Sequence, residues 1–223
     1  MTRPLVLKNL RIVDPSRNLD EVGTIIVGHD GRILAAGADA QNQGAPDGAF
    51  VKDCTGLTAV PGLVDARVFV GEPGSEHRET FESASRAAAV GGVTTFIAMP
   101  DTDPVIDDIA LVEFVKKTAR DKAVVNVHPA AALTKGLAGE EMTEFGLLRE
   151  AGAVCFTNGR RSIHDTLVLR RAMTYAPNSA PSSRSRPATS ISAPTASCTK
   201  ACSQAGSVLP ESRASRRSSL SSA

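Results

Sequence analysis

Apolar and polar positions alternate from the start of the chain. Leu5-Val6-Leu7-Lys8-Asn9-Leu10-Arg11-Ile12-Val13 is closed by Asp14-Pro15-Ser16, and a period near two predicts a strand with one buried face. Thr24-Ile25-Ile26-Val27-Gly28 runs into His29-Asp30-Gly31-Arg32, and the apolar pattern resumes to Gly37. An Asp-Gly step between two β-rich runs predicts a hairpin, because Gly accepts the backbone angles of a tight turn. Residues 38–50 carry Gly, Asp, Asn, Gln and Pro and read as loop. Residues 1–58 are therefore predicted to form a small β-sheet region.

From residue 59 the period changes. Leu63-Val64-Asp65-Ala66-Arg67-Val68-Phe69-Val70 reads as a buried-type strand, and Glu79 to Val90 as an Ala-rich helix stopped by Gly91-Gly92. Val93 to Met99 is β-branched and ends at Pro100. Ile109, Val112, Val115 and Ala119 lie three or four apart, on one helical face. Ala123 to Val127 is the next predicted strand, Glu140 to Ala151 a helix, Ala153 to Thr157 a strand, and Ile163 to Tyr175 a last helix. Strand followed by helix, about four times over, predicts an α/β fold. Residues 59–176 are expected to form a partial TIM-type (β/α) barrel, half of the usual eight units.

Residues 177–223 break the pattern. About a third of them are Ser, and the segment holds five Arg and one Lys against a single acid, Glu211, with no aromatic residue. Such a composition cannot bury enough apolar surface to offset its ordering entropy. The tail is expected to be disordered. Its abrupt onset, halfway through a repeating architecture, reads as a frameshift in a GC-rich coding sequence.

Composition narrows the function classes. A net charge of +1 over 223 residues gives no bias toward nucleic acid or an acidic membrane surface. No apolar run reaches the roughly 18–20 residues of a membrane span, and Met1 to Leu7 does not read as a signal peptide. Cys54, Cys155, Cys198 and Cys202 show no paired metal spacing, so a reducing cytoplasm without disulfides is expected.

Five stretches bear on chemistry: Val60-Pro61-Gly62-Leu63-Val64-Asp65, Glu72 to Thr80, Ala88 to Thr95, Met99-Pro100-Asp101-Thr102-Asp103-Pro104, and Leu133 to Glu141. The first resembles the amidohydrolase superfamily, and the other four, in this order, resemble dihydroorotase in particular. The resemblance covers about residues 4–176. It implies reversible hydrolysis of the cyclic amide of dihydroorotate to carbamoyl aspartate, in pyrimidine synthesis, at a zinc centre. The physics asks for a metal, because zinc polarises a poorly electrophilic carbonyl and lowers the pKa of bound water to roughly 7. In the family the first barrel strand ends in His-x-His, whose spacing sends both imidazoles to one face of the strand.

At those positions this chain has Arg67 and Phe69. Arginine carries a fixed positive charge and no free lone pair, and phenylalanine has no donor atom. By the same resemblance Gly71 stands where an arginine contacts the substrate carboxylate. Asp101 and Asp103 stand for two asparagines, the first of which helps bind substrate, and Asn158 for a metal-bridging aspartate. The ligands of later strands would lie beyond Ala176. No catalytic, substrate-binding or metal-ligating residue is therefore expected, and no cofactor.

The remaining candidates have plainer readings. His77 precedes a helix and reads as a cap or packing residue. His128 is expected after the third barrel strand, near the active end, and hydrogen-bonded locally. His29 and His164 read as surface residues. Asp65 reads as structural, Asp107-Asp108 as a helix start, and Lys135-Gly136 as loop. A lone Gly91-Gly92 is a helix stop and not a phosphate loop.

Three functions compete. One is a non-catalytic dihydroorotase homologue that serves as structural partner of aspartate carbamoyltransferase. Another is an active amidohydrolase of dihydroorotase, allantoinase or dihydropyrimidinase type with a rebuilt site. A third is a truncated product without function, since four βα units leave open sheet edges unless a homo-oligomer covers them. A basic tail that binds nucleic acid is disfavoured by the absence of aromatic interleaving.

Overall fold

The computed structural model describes residues 3–178. The tail expected at 177–223 lies outside them from residue 179 onward, as do Cys198 and Cys202; its first two residues, Pro177 and Asn178, instead end the last helix. Strands β1 (Leu5–Asp14), β2 (Leu19–Val27), β3 (Ile33–Gly37) and β4 (Phe50–Asp53) form one sheet in the order β3-β2-β1-β4, with β5 (Thr58–Ala59) also paired to β1. The predicted hairpin joins β2 and β3. Gly28 N–H donates to the Arg32 carbonyl (2.9 Å), Asp30 Oδ1 accepts from Arg32 N–H, and Gly31 takes φ 76°.

Two features of this sheet depart from the simple alternation. The β1–β2 register shifts between Leu7 and Leu10, where Asn9 takes φ 61°. That bulge lets Leu7, Leu10 and Ile12 share one buried cluster with Ile25, Val27 and Cys54, although the first two lie an odd three positions apart. The loop expected at 38–50 contains a short 3-10 turn (Asp39–Asn42) and gives way to β4 at Phe50. Both β4 and β5 pair with β1 in parallel.

The second unit is the predicted partial barrel. Its elements are β6 (Leu63–Val68), α1 (Phe81–Val90), β7 (Val93–Ala98), α2 (Ile109–Lys122), β8 (Asn126–Ala132), α3 (Phe145–Ala151), β9 (Cys155–Thr157) and α4 (Thr166–Asn178). The strands are parallel and adjacent in chain order, β6-β7-β8-β9. Phe81, Phe96, Phe145, Val112, Val115 and Leu148 are fully buried between sheet and helices, and the Phe145 and Phe156 rings stack with centroids 4.4 Å apart.

Several element limits move. Helix α1 begins at Phe81, not Glu79, because Thr80 is its cap, accepting from Ser83 N–H while Ser83 Oγ accepts from Thr80 N–H. Helix α3 begins at Phe145, not Glu140. The segment before it lies extended against the end of β8, with Thr134 bridged to Met142 and Thr143 Oγ1 donating to the Ala132 carbonyl (2.6 Å). Strand β8 is displaced most: it was expected at 123–127 and runs from Asn126 to Ala132. Gly91 ends α1 as predicted, its N–H donating to Ala87, and Asp108 caps α2.

Candidate functional site at the C-terminal ends of the strands

Parallel barrel strands present their C-terminal ends, and the loops after them, as the place where ligands and catalytic groups gather. Here that mouth is built from the ends of β6, β7, β8 and β9. Arg67 is exposed; its backbone N–H donates to Asp65 Oδ1 (2.9 Å) and its guanidinium to the Gly159 carbonyl (3.1 Å), 92 residues along the chain. Phe69 is half-buried beneath the Arg160 guanidinium, 5.1 Å from its ring centroid, a cation–π contact. Arg160 Nε also donates to Asp101 Oδ2 (2.8 Å). The Asp101 side chain is only 11% exposed, and its Oδ1 is buried without a hydrogen-bond partner among the described residues. Arg67 and Arg160 thus tie the first, second and fourth strand ends together.

Asn158 joins the third end to the fourth. It is buried, its Oδ1 accepts from Thr134 Oγ1 (2.7 Å), and its Nδ2 donates to the Leu137 carbonyl (3.3 Å). Thr134 Oγ1 in turn accepts from Gly139 N–H (2.9 Å). Gly71 is buried under its own loop: Ser75 N–H donates to its carbonyl (2.6 Å), and a Cβ at Gly71 would overlap the Ser75 carbonyl oxygen. No longer side chain fits there without moving that loop.

The donor set does not fit zinc. A zinc site needs three or four N, S or O donors converging from His, Cys, Asp or Glu, and among the described residues no group of three such side chains is gathered. Arg67 sets a fixed cation at the first strand end, Phe69 supplies no donor, and the Asn158 amide is committed at both ends to protein partners. Asp101 is held by a guanidinium.

Of the four histidines, none reaches the mouth as a ligand. His128 was expected beyond the third strand, near this end. It is instead the third residue of β8, six residues or roughly 20 Å before Thr134 along an extended strand. It is half-buried, and that burial lowers its pKa below the usual 6.5. His77 is exposed and does not cap α1, a role Thr80 takes. His29 and His164 are exposed. Asp107 Oδ2 accepts from Gly136 N–H (2.8 Å), and Lys135 pairs with Glu141 (2.6 Å), which raises the lysine's pKa through that hydrogen bond and the charge.

Arg160 and Thr134 are the mouth residues that sequence reasoning missed. Thr134 lies within a quoted motif, but nothing local says that it faces Asn158. Arg160 follows Asn158-Gly159 directly, yet its partners Phe69 and Asp101 are brought to it only by closure of the parallel sheet.

Comparison with known proteins follows the same outline. The family model described as Dihydro-orotase-like matches residues 56–180. The chain is 44% identical to a dihydroorotase of Solibacter usitatus over 173 residues, which is 78% of this chain and 39% of that protein. It is 41% identical to a dihydroorotase of Pelobacter propionicus over 172 residues, 77% of this chain and 40% of that protein. Among solved structures, L-hydantoinase (dihydropyrimidinase) from Arthrobacter aurescens superposes with a TM-score of 0.58 at 30% identity, covering 70% of this chain and 32% of that one. D-hydantoinase (dihydropyrimidinase) from a Thermus species gives 0.50 at 28% identity, covering 66% and 30%. The chain spans about two fifths of the length of the curated relatives it matches.

Proposed function

The chain belongs to the dihydro-orotase-like family, and we propose that within pyrimidine biosynthesis it is a non-catalytic scaffold and a structural partner of aspartate carbamoyltransferase. One observation carries the non-catalytic half of this reading: the Arg67 guanidinium crosses the mouth to the Gly159 carbonyl. A fixed cation in that place repels a dication and offers it no lone pair. Cyclic amide hydrolysis of the family type needs a polarised carbonyl and an activated water, which a bound metal supplies. The residues here hold one another instead. The partner half rests on the pattern of a retained scaffold with a rebuilt mouth, since such a surface is kept for assembly when it is not kept for chemistry.

The test starts from protein purified from its native cells. Elemental analysis is expected to find no bound zinc, dihydroorotate is expected not to turn over, and aspartate carbamoyltransferase is expected to co-purify. Stoichiometric zinc together with turnover would establish an active hydrolase with a rebuilt site. Isolation as a lone soluble monomer would dismiss the partnership.

A further inference from the structure

At the other end of the strands lies a cavity of about 750 Å³, between the last turns of α2, the start of β8 and the α3–β9 turn. We propose that this cavity binds a small organic anion, one carrying a phosphate or carboxylate group on an apolar body. Its volume falls within the roughly 300–1,000 Å³ of ordinary ligand sites. It is separate from the mouth, so the proposal stands or falls independently of the scaffold reading.

Charge and shape give the ligand its class. One wall is the face of α2 that carries Lys116, Lys117 and Arg120, spaced so that they neighbour one another along the helix. Against these three cations the lining contributes one acid, Glu113. Lys116 is already engaged, donating to the Ala151 carbonyl at the end of α3 (2.5 Å). Arg120 Nε donates to its neighbour Asp121 Oδ1 (3.4 Å), and no ion pair among the described residues engages Lys117. Lys117 is therefore available to an incoming anion, and Arg120 could join it by giving up an exposed surface pairing. The lining also includes Val124, Val125 and Val127; Val125 and Val127 pack against the core, whereas Val124 leaves 61% of its surface in solvent. An exposed valine beside this cationic helix face suits a ligand with a hydrophobic body and a charged end.

Thr94 lies in the cavity floor, but its hydroxyl is buried beside Gly62 and out of a ligand's reach. His128, also in the lining, is kept neutral near pH 7 by its burial, so it offers a flat polar surface and adds no charge of its own.

The experiment is calorimetric titration of the full chain at pH 7.5 and low salt, where exposed charges are least screened. The probe is 1-naphthyl phosphate, with 1-naphthol as the body without the charge and inorganic phosphate as the charge without the body. One 1-naphthyl phosphate per chain is expected, at least tenfold tighter than either fragment. Lys117→Glu combined with Arg120→Glu, both on the exposed side of α2, should weaken it tenfold or more. Equal binding of 1-naphthol and 1-naphthyl phosphate, unaffected by the charge reversals, would reduce the cavity to an apolar patch and overturn the proposal. Equal binding of inorganic phosphate, or no binding at all, would overturn it as well.

Discussion

Asn158 separates two readings of the mouth, a polar lock or a metal site short of ligands, and Asn158→Asp is the substitution that tells them apart. The side chain is 7% exposed. Aspartate keeps an oxygen to accept from Thr134 Oγ1 but replaces the Nδ2 donor with a second oxygen, 3.3 Å from the Leu137 carbonyl. Loss of that bond costs about 1 kcal/mol, and leaving a buried acceptor unpaired adds about 1–3 kcal/mol. The expected destabilisation is therefore roughly 2–4 kcal/mol near neutral pH. Burial also favours the protonated acid, so the penalty should ease as pH falls and grow as pH rises. Asn158→Ala should cost a similar amount, with no such pH dependence. The assay is the urea midpoint at 25 °C, with and without zinc. A bound metal would stabilise by about 2.7 kcal/mol at a hundred times its dissociation constant. If Asn158→Asp were as stable as the parent and zinc raised its midpoint, the polar lock would be the wrong description and the mouth would be a metal site lacking one ligand.

Two further perturbations probe the fold around the sites. Gly74 has φ 95° and a Cβ there would overlap the Asp103 carbonyl oxygen, so Gly74→Ala should lose about 3 kcal/mol or more from overpacking and strain together. Gly44 has nothing within 4 Å of a built Cβ, and Gly44→Ala should change the urea midpoint by less than about 0.5 kcal/mol equivalent; equal effects at the two positions would refute the packing argument. His128 has a folded pKa lowered from 6.5 by burial, so the unfolded chain takes up its proton first. Stability should be full above about pH 6.5 and decline as pH falls toward the folded value, and His128→Gln should flatten that slope. An imidazole titration by NMR at or above 6.5 would reverse the sign and remove the basis for the prediction.

The βα order was legible because apolar runs mark most strands and the helices carry local caps or stops; β6, expected as a buried-type strand to Val70, ends at Val68 and has no fully buried residue. Gly91-Gly92 and Asp108 are local signals, and they act locally in the structure. The limits that moved furthest, at β8 and before α3, depended on partners outside their own segments. Pro129 reads as a breaker, yet it lies inside β8, at the point where pairing passes from β7 to β9. Asn126 to Pro129 pair with β7, and Ala130 to Ala132 with β9. A missing N–H is tolerated at that hand-over, where one ladder ends and the next begins. Ala130, Ala131 and Ala132 have weak strand propensity, but all three are fully buried, and tight packing overrides propensity. Residues 140–144 have a helical composition, and Thr143 instead holds them to the end of β8 through the Ala132 carbonyl. At the mouth the sequence indicated which residue types were out of place at Arg67 and Phe69, but not what they do instead.

What they do is close a ring. Arg67 reaches the Gly159 carbonyl. Gly159, at φ 62°, leaves only 3.0 Å between a built Cβ and the Asp101 side chain. Asp101 holds Arg160, and Arg160 covers Phe69, two residues from Arg67. Each member fixes the position of the next, so their contributions are coupled and do not add. Within the ring Arg160 is charge-matched by Asp101, and Asp65 accepts from the Arg67 backbone N–H. Returning histidines at Arg67 and Phe69 would remove two links while leaving Asp101 opposite Arg160 and Asn158 committed to Thr134 and Leu137. The mouth residues therefore hold one another, and the described side chains gather no group of three metal donors.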